Sequence, residues 1–253
     1  MFEPADNQRP ASGNPQFDTT DRKILLLKRR LIREATMAVS MLERSLDALF
    51  ALDLEAAQAV RMSDDSVDNE EVLIEQDAQQ LLALHHPFGR AFRSLIFILK
   101  VNAELERVAD HACSIAKQVP KIKAALPPGA TAPWPTALRE LAERVPALCH
   151  QLMRAVLDED VPAARDLVRA DEIIDQLEKR LFEETFDLVS RLKFGGDEQS
   201  SLTIALLVHR IGRELERVGD LMASVAEDVV YVVTGEIIRH EKRRRKAAEA
   251  TKG

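Results

Sequence analysis

The stretch "NAELERVAD" at residues 102–110 returns as "GRELERVGD" at 212–220. In each copy a Glu and an Asp stand four apart: Glu106 with Asp110, then Glu216 with Asp220. On a helix that spacing puts both carboxylates on one face. The copies are offset by 110 residues (216 − 106 = 110). Upstream, "ALDLEAAQAVRMSDDSVDNEE" at 51–71 matches "VLDEDVPAARDLVRADEIIDQLE" at 156–178. There Asp53 pairs with Asp160, Asp64 with Asp171 and Asp68 with Asp175, offset by 107 (175 − 68 = 107). The chain is a tandem duplication, and the unit that repeats decides the fold.

That unit is three helices. From Thr20 the apolar residues Leu27, Leu31, Ala35, Val39, Leu42, Leu46 and Leu49 recur every three or four positions. Asp53 is placed to cap a second helix over about 54–84, and "HHPFGR" at 85–90 breaks it. Pro87 suits the start of a third, which runs through Leu95, Ile98, Leu105, Val108, Ala112, Ile115 and Val119. "ALPPGATAPWPTAL" at 125–138 then interrupts with Pro and Gly, and Trp134 is expected to pin this connector down. Three further helices follow over about 136–157, 161–192 and 202–233, with a turn at "KFGGDEQ" (193–199) and a stop near Gly235. The expected fold is all-α, two tandem antiparallel three-helix bundles. The domain plan is a disordered segment over 1–19, a first repeat over 20–122, a connector over 123–136, a second repeat over 137–238 and a basic tail over 239–253.

Composition narrows the function. A net charge of −7 argues against a dedicated nucleic-acid binder, which needs clustered Lys and Arg to neutralise phosphates. The exception, "RHEKRRRKAAEATKG" at 239–253, reads as a solvated tail, or as a contact for an acidic partner or an anionic membrane surface. Two cysteines, Cys113 and Cys149, with no CxxC, suit a reducing compartment, and Cys113 reads as a small buried side chain. No apolar run of about twenty residues could span a bilayer, and the N-terminus lacks a signal-peptide pattern. The expected location is cytoplasmic.

The carboxylates carry the chemistry. Asp64, Asp68, Glu71 and Glu75 lie at i, i+4, i+7 and i+11, one stripe along a helix. The second repeat supplies Asp171, Asp175 and Glu178, with Phe182 where Glu75 would be matched. Glu106/Asp110 and Glu216/Asp220 complete the two sets. Like charges at this spacing destabilise a helix by a few tenths of a kcal/mol per pair, and Arg107 and Arg217 are placed to relieve them partly. A single such pair reads as a solvated acidic face. Repetition at matching positions on two helices points instead to oxygen-ligand sites for hard cations such as Mg²⁺, Mn²⁺ or ferric iron. A ferritin-like di-iron site is excluded, because none of the six histidines follows a Glu by three. His85, His86 and His111 read as helix-end or surface residues, peripheral ligands at most. No Gly-rich phosphate loop or activated nucleophile is recognisable, so no catalytic or organic-cofactor residues are assigned.

"VDNEEVLIE" (67–75), "HHPFGRAFR" (85–93), "ELERVADHACSIAK" (104–117), "IIDQLE" (173–178) and "ELERVGDLMASVAE" (214–227) resemble the PhoU family, the phosphate-specific transport system accessory proteins. The resemblance spans about residues 20–240. It implies a cytoplasmic, non-enzymatic regulator of phosphate homeostasis that restrains Pst-type uptake and starvation signalling. The implied partners are the Pst-type phosphate transporter and a phosphate-sensing histidine kinase, with membrane contact only through them; a homodimer is left open. Some members bind multinuclear iron or other metals at E(D)xxxD motifs, so iron, manganese, magnesium or zinc is expected here at Asp64, Asp68, Glu71, Glu75, Glu106 and Asp110, and at Asp171, Asp175, Glu178, Glu216 and Asp220. Two departures stand out. The family's "QPxAxDLR" is "HPFGRAFR", which places Ala91 at its Asp, and the second half lacks the stretch. The second half is therefore expected to hold metal less well. The competing reading is a metal-dependent hydrolase or oxidase in a helical bundle.

Overall fold

The computed structural model describes residues 15–127, 129–191 and 198–238. Among them are eight helices and no strand: α1 (Pro15–Ala51), α2 (Leu54–Met62), α3 (Asp64–His85), α4 (Gly89–Ala116), α5 (Val119–Ala125), α6 (Thr136–Asp158), α7 (Val161–Arg191) and α8 (Glu198–Thr234). The long helices form two tandem three-helix bundles, α1/α3/α4 and α6/α7/α8, with α2 and α5 as short extensions of the first. All the apolar positions expected to line α1 and α4 are buried, from Leu27 to Leu49 and from Leu95 to Ala112 and Ile115.

The expected boundaries shift where local chemistry intervenes. Residues 15–19, expected to be disordered, open α1; the rest of that segment, most of the 193–199 turn and the basic tail lie outside the described residues. The second helix divides at Ser63, whose hydroxyl donates to the Ala59 carbonyl at 2.9 Å while Asp64 and Asp65 begin a new first turn. The third helix stops at Ala116 and restarts as α5, because Pro120 has no N–H for the helix ladder and its ring clashes with the carbonyl four residues back.

The repeat extends to its turns. Leu52 (φ 52°) and Glu159 (φ 51°) take the same left-handed conformation 107 positions apart (159 − 52 = 107). Each is followed by a capping aspartate: Asp53 accepts from the Glu55 and Ala56 N–H groups, and Asp160 accepts from Ala163 N–H at 3.0 Å. The connector is fastened as expected, with Trp134 edge-on to Phe50 at 5.4 Å between ring centroids and the Arg139 guanidinium 5.3 Å from the same ring.

The bundles join through α4 against α8 and α1 against α6. The seam is apolar and nearly void-free: a cavity of about 20 Å³ lies among Leu31, Ala35, Leu105, Cys149, Leu152 and Val225. Polar contacts border it. His111 Nδ1 lies 2.7 Å from Glu214, Lys100 donates to Asp228 at 3.3 Å, and Arg93 donates to the Val232 carbonyl at 3.3 Å. As the α4 number falls the α8 number rises, so these helices run antiparallel. Glu159 binds both Lys28 (2.8 Å) and Arg90, and His150 bonds Glu43 at 2.8 Å. His111, expected at the surface, is a half-buried contact between the repeats.

Asp53→Ala and Asp160→Ala should each cost about 1 kcal/mol, the usual value of an N-cap side chain. Urea unfolding of the two variants checks this, and equal losses would mark the caps as equivalent.

Candidate metal centres

In the first repeat α3 presents Asp64, Asp68, Glu71 and Glu75, and α4 presents Glu106 and Asp110. The two sets face each other. Burial pushes the Asp68 carboxyl up, and Asp64 and Asp110 push it further. Glu106 rises to about 7 through burial, then Asp110, Glu71 and Asp68. Glu71 rises through burial, then Glu75 and Asp68. Carboxylates on separate helices act on one another only at close range, and here Asp110 acts on Asp68 while Glu71 and Asp68 act on Glu106.

Relief does not come from the arginines expected to supply it. Arg107 turns to Glu104 at 2.9 Å, and Arg217 acts on Glu214. Arg30 and Arg33 bind Glu70 at 2.9 and 2.7 Å, so their charge goes to an acid that faces α1 rather than α4. Asp64 gains from its place in the first turn of α3, where the helix dipole favours negative charge.

The second repeat is arranged differently. Asp171, Asp175 and Asp220 each bring an oxygen to within 4.8 Å of the others, the one such group among the described residues. Glu178 is compensated by Arg213 at 3.9 Å, where the matching position of the first repeat is Ala103 (213 − 110 = 103). Phe182, in place of Glu75, packs edge-on against His209 at 5.3 Å. Burial and Asp220 still raise Glu216, whose buried Oε2 has no hydrogen-bond partner. The half expected to be the weaker site thus holds the tightest carboxylate group, because substitutions have removed or paired its outlying charges.

One acid was not singled out by its spacing. Glu34 of α1 is fully buried, and neither of its oxygens has a partner. Burial raises it to about 8, with Glu71, Glu70 and Glu106 adding to the rise and Arg30 opposing it. Its signal was there to read: Glu34 stands three after Leu31 and four before Ala38, inside the apolar stripe.

These groups fit a hard cation. All the motif candidates are carboxylates, and buried oxygens on Glu34, Asn102 and Glu216 lack partners. The nearest soft donor is withheld, since burial and then Asp64 push the Cys113 thiol up to about 12. A bound cation would supply charge neutralisation that links α3 to α4 and α7 to α8. A cavity between α1 and α3 has the opposite character: it is about 540 Å³ and is lined by Lys23, Arg29, Arg30 and Arg33 beside Asp77 and His85.

Comparison with known proteins gives one answer. The PhoU domain model matches residues 31–119 and again 138–229. The chain is 30% identical over 223 residues to the phosphate-specific transport system accessory protein PhoU homolog 1 of Thermotoga maritima, covering 85% of this chain and 89% of that one. It is 32% identical over 182 residues to the homolog of Deinococcus radiodurans, covering 70% and 78%. The crystal structure of the phosphate transport system regulatory protein PhoU from Streptococcus pneumoniae superposes with TM-score 0.75 at 26% identity, over 87% of this chain and 99% of that one. PhoU from Pseudomonas aeruginosa shares the fold, with TM-score 0.71 at 23% identity over 88% and 99%.

Two outcomes are expected. In chelated protein, Glu34 and Glu106 bind protons more tightly folded than unfolded, because burial and neighbours raise them to about 8 and about 7. Stability is then greatest near the unfolded carboxyl range and falls as pH rises toward about 8. Urea midpoints across that range check the sign, and added Mn²⁺ should flatten the fall by competing with protons. Second, Glu106→Ala with Asp110→Ala should lower bound metal per chain while metal-free stability holds or rises, since clustered repulsion is removed. Metal analysis of the purified variant decides this.

Proposed function

The chain belongs to the PhoU family, and from that membership we propose that it is an accessory regulator of phosphate transport. It restrains uptake and starvation signalling while phosphate is plentiful. The observation that carries this reading is the double match of the family model, one copy on each bundle, together with relatives named as transport accessory and regulatory proteins. Those names also favour a regulator over a metal-dependent enzyme.

The regulator acts by contact with the Pst-type transporter and a phosphate-sensing histidine kinase. Long charged helix faces suit docking on the cytoplasmic parts of such proteins. Among the described residues no helix is long and apolar enough to cross a membrane itself. Metal ions on the two carboxylate faces hold α3 to α4 and α7 to α8, and so fix the shape of the surface that partners meet.

A strain deleted for this protein, grown in excess phosphate with its kinase intact, should express a phosphate-starvation reporter that the parent keeps silent. A reporter that stays silent in the deletion strain overturns the regulatory reading.

A further inference from the structure

We propose that Glu34 is a cation ligand contributed by α1, which makes the first carboxylate group a three-helix site and sets it apart from the second. The inference rests on the metal-binding part of the proposed function.

Three observations carry it. Glu34 is 0% exposed with both carboxylate oxygens unpartnered, in the core between α1, α3 and α4. An ionised carboxylate in that position without hydrogen bonds is among the most costly arrangements a fold can hold. The positive charge acting on it, Arg30, is already taken by Glu70 at 2.9 Å and Asp77 at 2.5 Å. The other charges that act on Glu34 are acidic: Glu71 and Glu70 on α3 and then Glu106 on α4, of which Glu71 and Glu106 belong to the candidate site.

The second repeat shows what this position needs for folding alone. The counterpart of Glu34 is Leu141 (34 + 107 = 141), fully buried and part of the core. A leucine therefore satisfies the bundle, and the carboxylate in the first repeat has a purpose other than packing.

The neighbouring position diverges in the same direction. A Cβ placed on Gly212 would lie 3.9 Å from Leu141 Cδ1, and Gly212 stands one turn before Glu216. Its counterpart is Asn102 (212 − 110 = 102), one turn before Glu106. Asn102 is 2% exposed; its Nδ2 donates to the Glu71 carbonyl at 2.9 Å, and its Oδ1 has no partner. That bond fixes the amide with its oxygen turned elsewhere. Where the second repeat holds Leu and Gly, the first thus holds two buried, unpartnered oxygen donors beside the Glu71/Glu106 carboxylates. One neutral and three anionic oxygens are the donor set of a hard divalent cation. It would have to draw the Glu34, Glu71 and Glu106 carboxylates together, since only Asp171, Asp175 and Asp220 already lie within 4.8 Å of one another among the described residues.

The test uses the full chain with Asp171→Asn, Asp175→Asn and Asp220→Asn, so that the first site is read alone, and Mn²⁺ as the probe. Equilibrium dialysis with metal analysis gives affinity and stoichiometry, and melting with and without Mn²⁺ gives the linkage. Adding Glu34→Leu should weaken Mn²⁺ binding at least tenfold, raise the melting temperature of the metal-free protein and shrink the Mn²⁺-induced rise. Glu34→Gln, which keeps the shape and one oxygen, should lose affinity as well and covers the case in which the leucine variant misfolds. Unchanged Mn²⁺ affinity in either folded variant means that Glu34 is only a buried acid, and overturns the proposal while leaving the metal reading intact. A background protein that takes up no Mn²⁺ overturns the proposal and, with it, the first-repeat half of the metal reading.

Discussion

The acidic faces owe their positions to the packing of α4 against α8. Each of these helices is enclosed by the other two long helices of its own bundle and by its counterpart across the seam. Val108, Ala109 and Ala112 on one, and Val218, Leu221 and Val225 on the other, are buried. With those positions committed, the stretch of helix surface that remains to carry Glu106 and Asp110, or Glu216 and Asp220, is narrow. It is also fixed in direction, toward α3 and α7. Gly219 on α8 lets α7 come close on the other side; a Cβ on Gly219 would stand 3.1 Å from Ile174 Cγ2. The carboxylates are thus held against their own repulsion by apolar burial two or three residues away.

Helix periodicity made most of the fold readable. Every long helix and the caps at Asp53 and Asp160 follow from residues within a few positions of each other. The misreadings arose where a longer-range or competing contact decided. Pro120 splits the third helix although its neighbours keep the apolar period. His111 looks like a surface residue on α4, and only α8 reveals that Glu214 meets it. Glu34 sits in a stripe of apolar residues, where one acid reads as noise unless the repeat is aligned and Leu141 appears opposite. Spacing tells which face of its own helix a side chain takes; it does not tell what covers that face.

The same limit hid the compact aspartate group of the second repeat. Counting acids favours the first repeat, whose stripe is longer. Charge density works the other way. Where Asp110 acts on Asp68, and Glu71 and Asp68 act on Glu106, the group stays spread along the helices. Where Arg213 holds Glu178 and Phe182 removes a charge, three aspartates approach within a single coordination sphere. Losing carboxylates and gaining compactness are one change.

Glu43 and His150 lie 107 residues apart (150 − 43 = 107), the repeat offset itself, and they touch. Equivalent residues meet only on a symmetry axis, so the seam has the geometry of an isologous two-fold interface written into one polypeptide. A true homodimer would have to make each off-axis contact twice. Here His111 meets Glu214, while the mate of that pair would be Leu221 with Glu104, and leucine makes no such bond. Covalent linkage has released the halves from that requirement. Each carries its own version of every position, which is how one bundle can keep a carboxylate in its core while the other keeps a leucine.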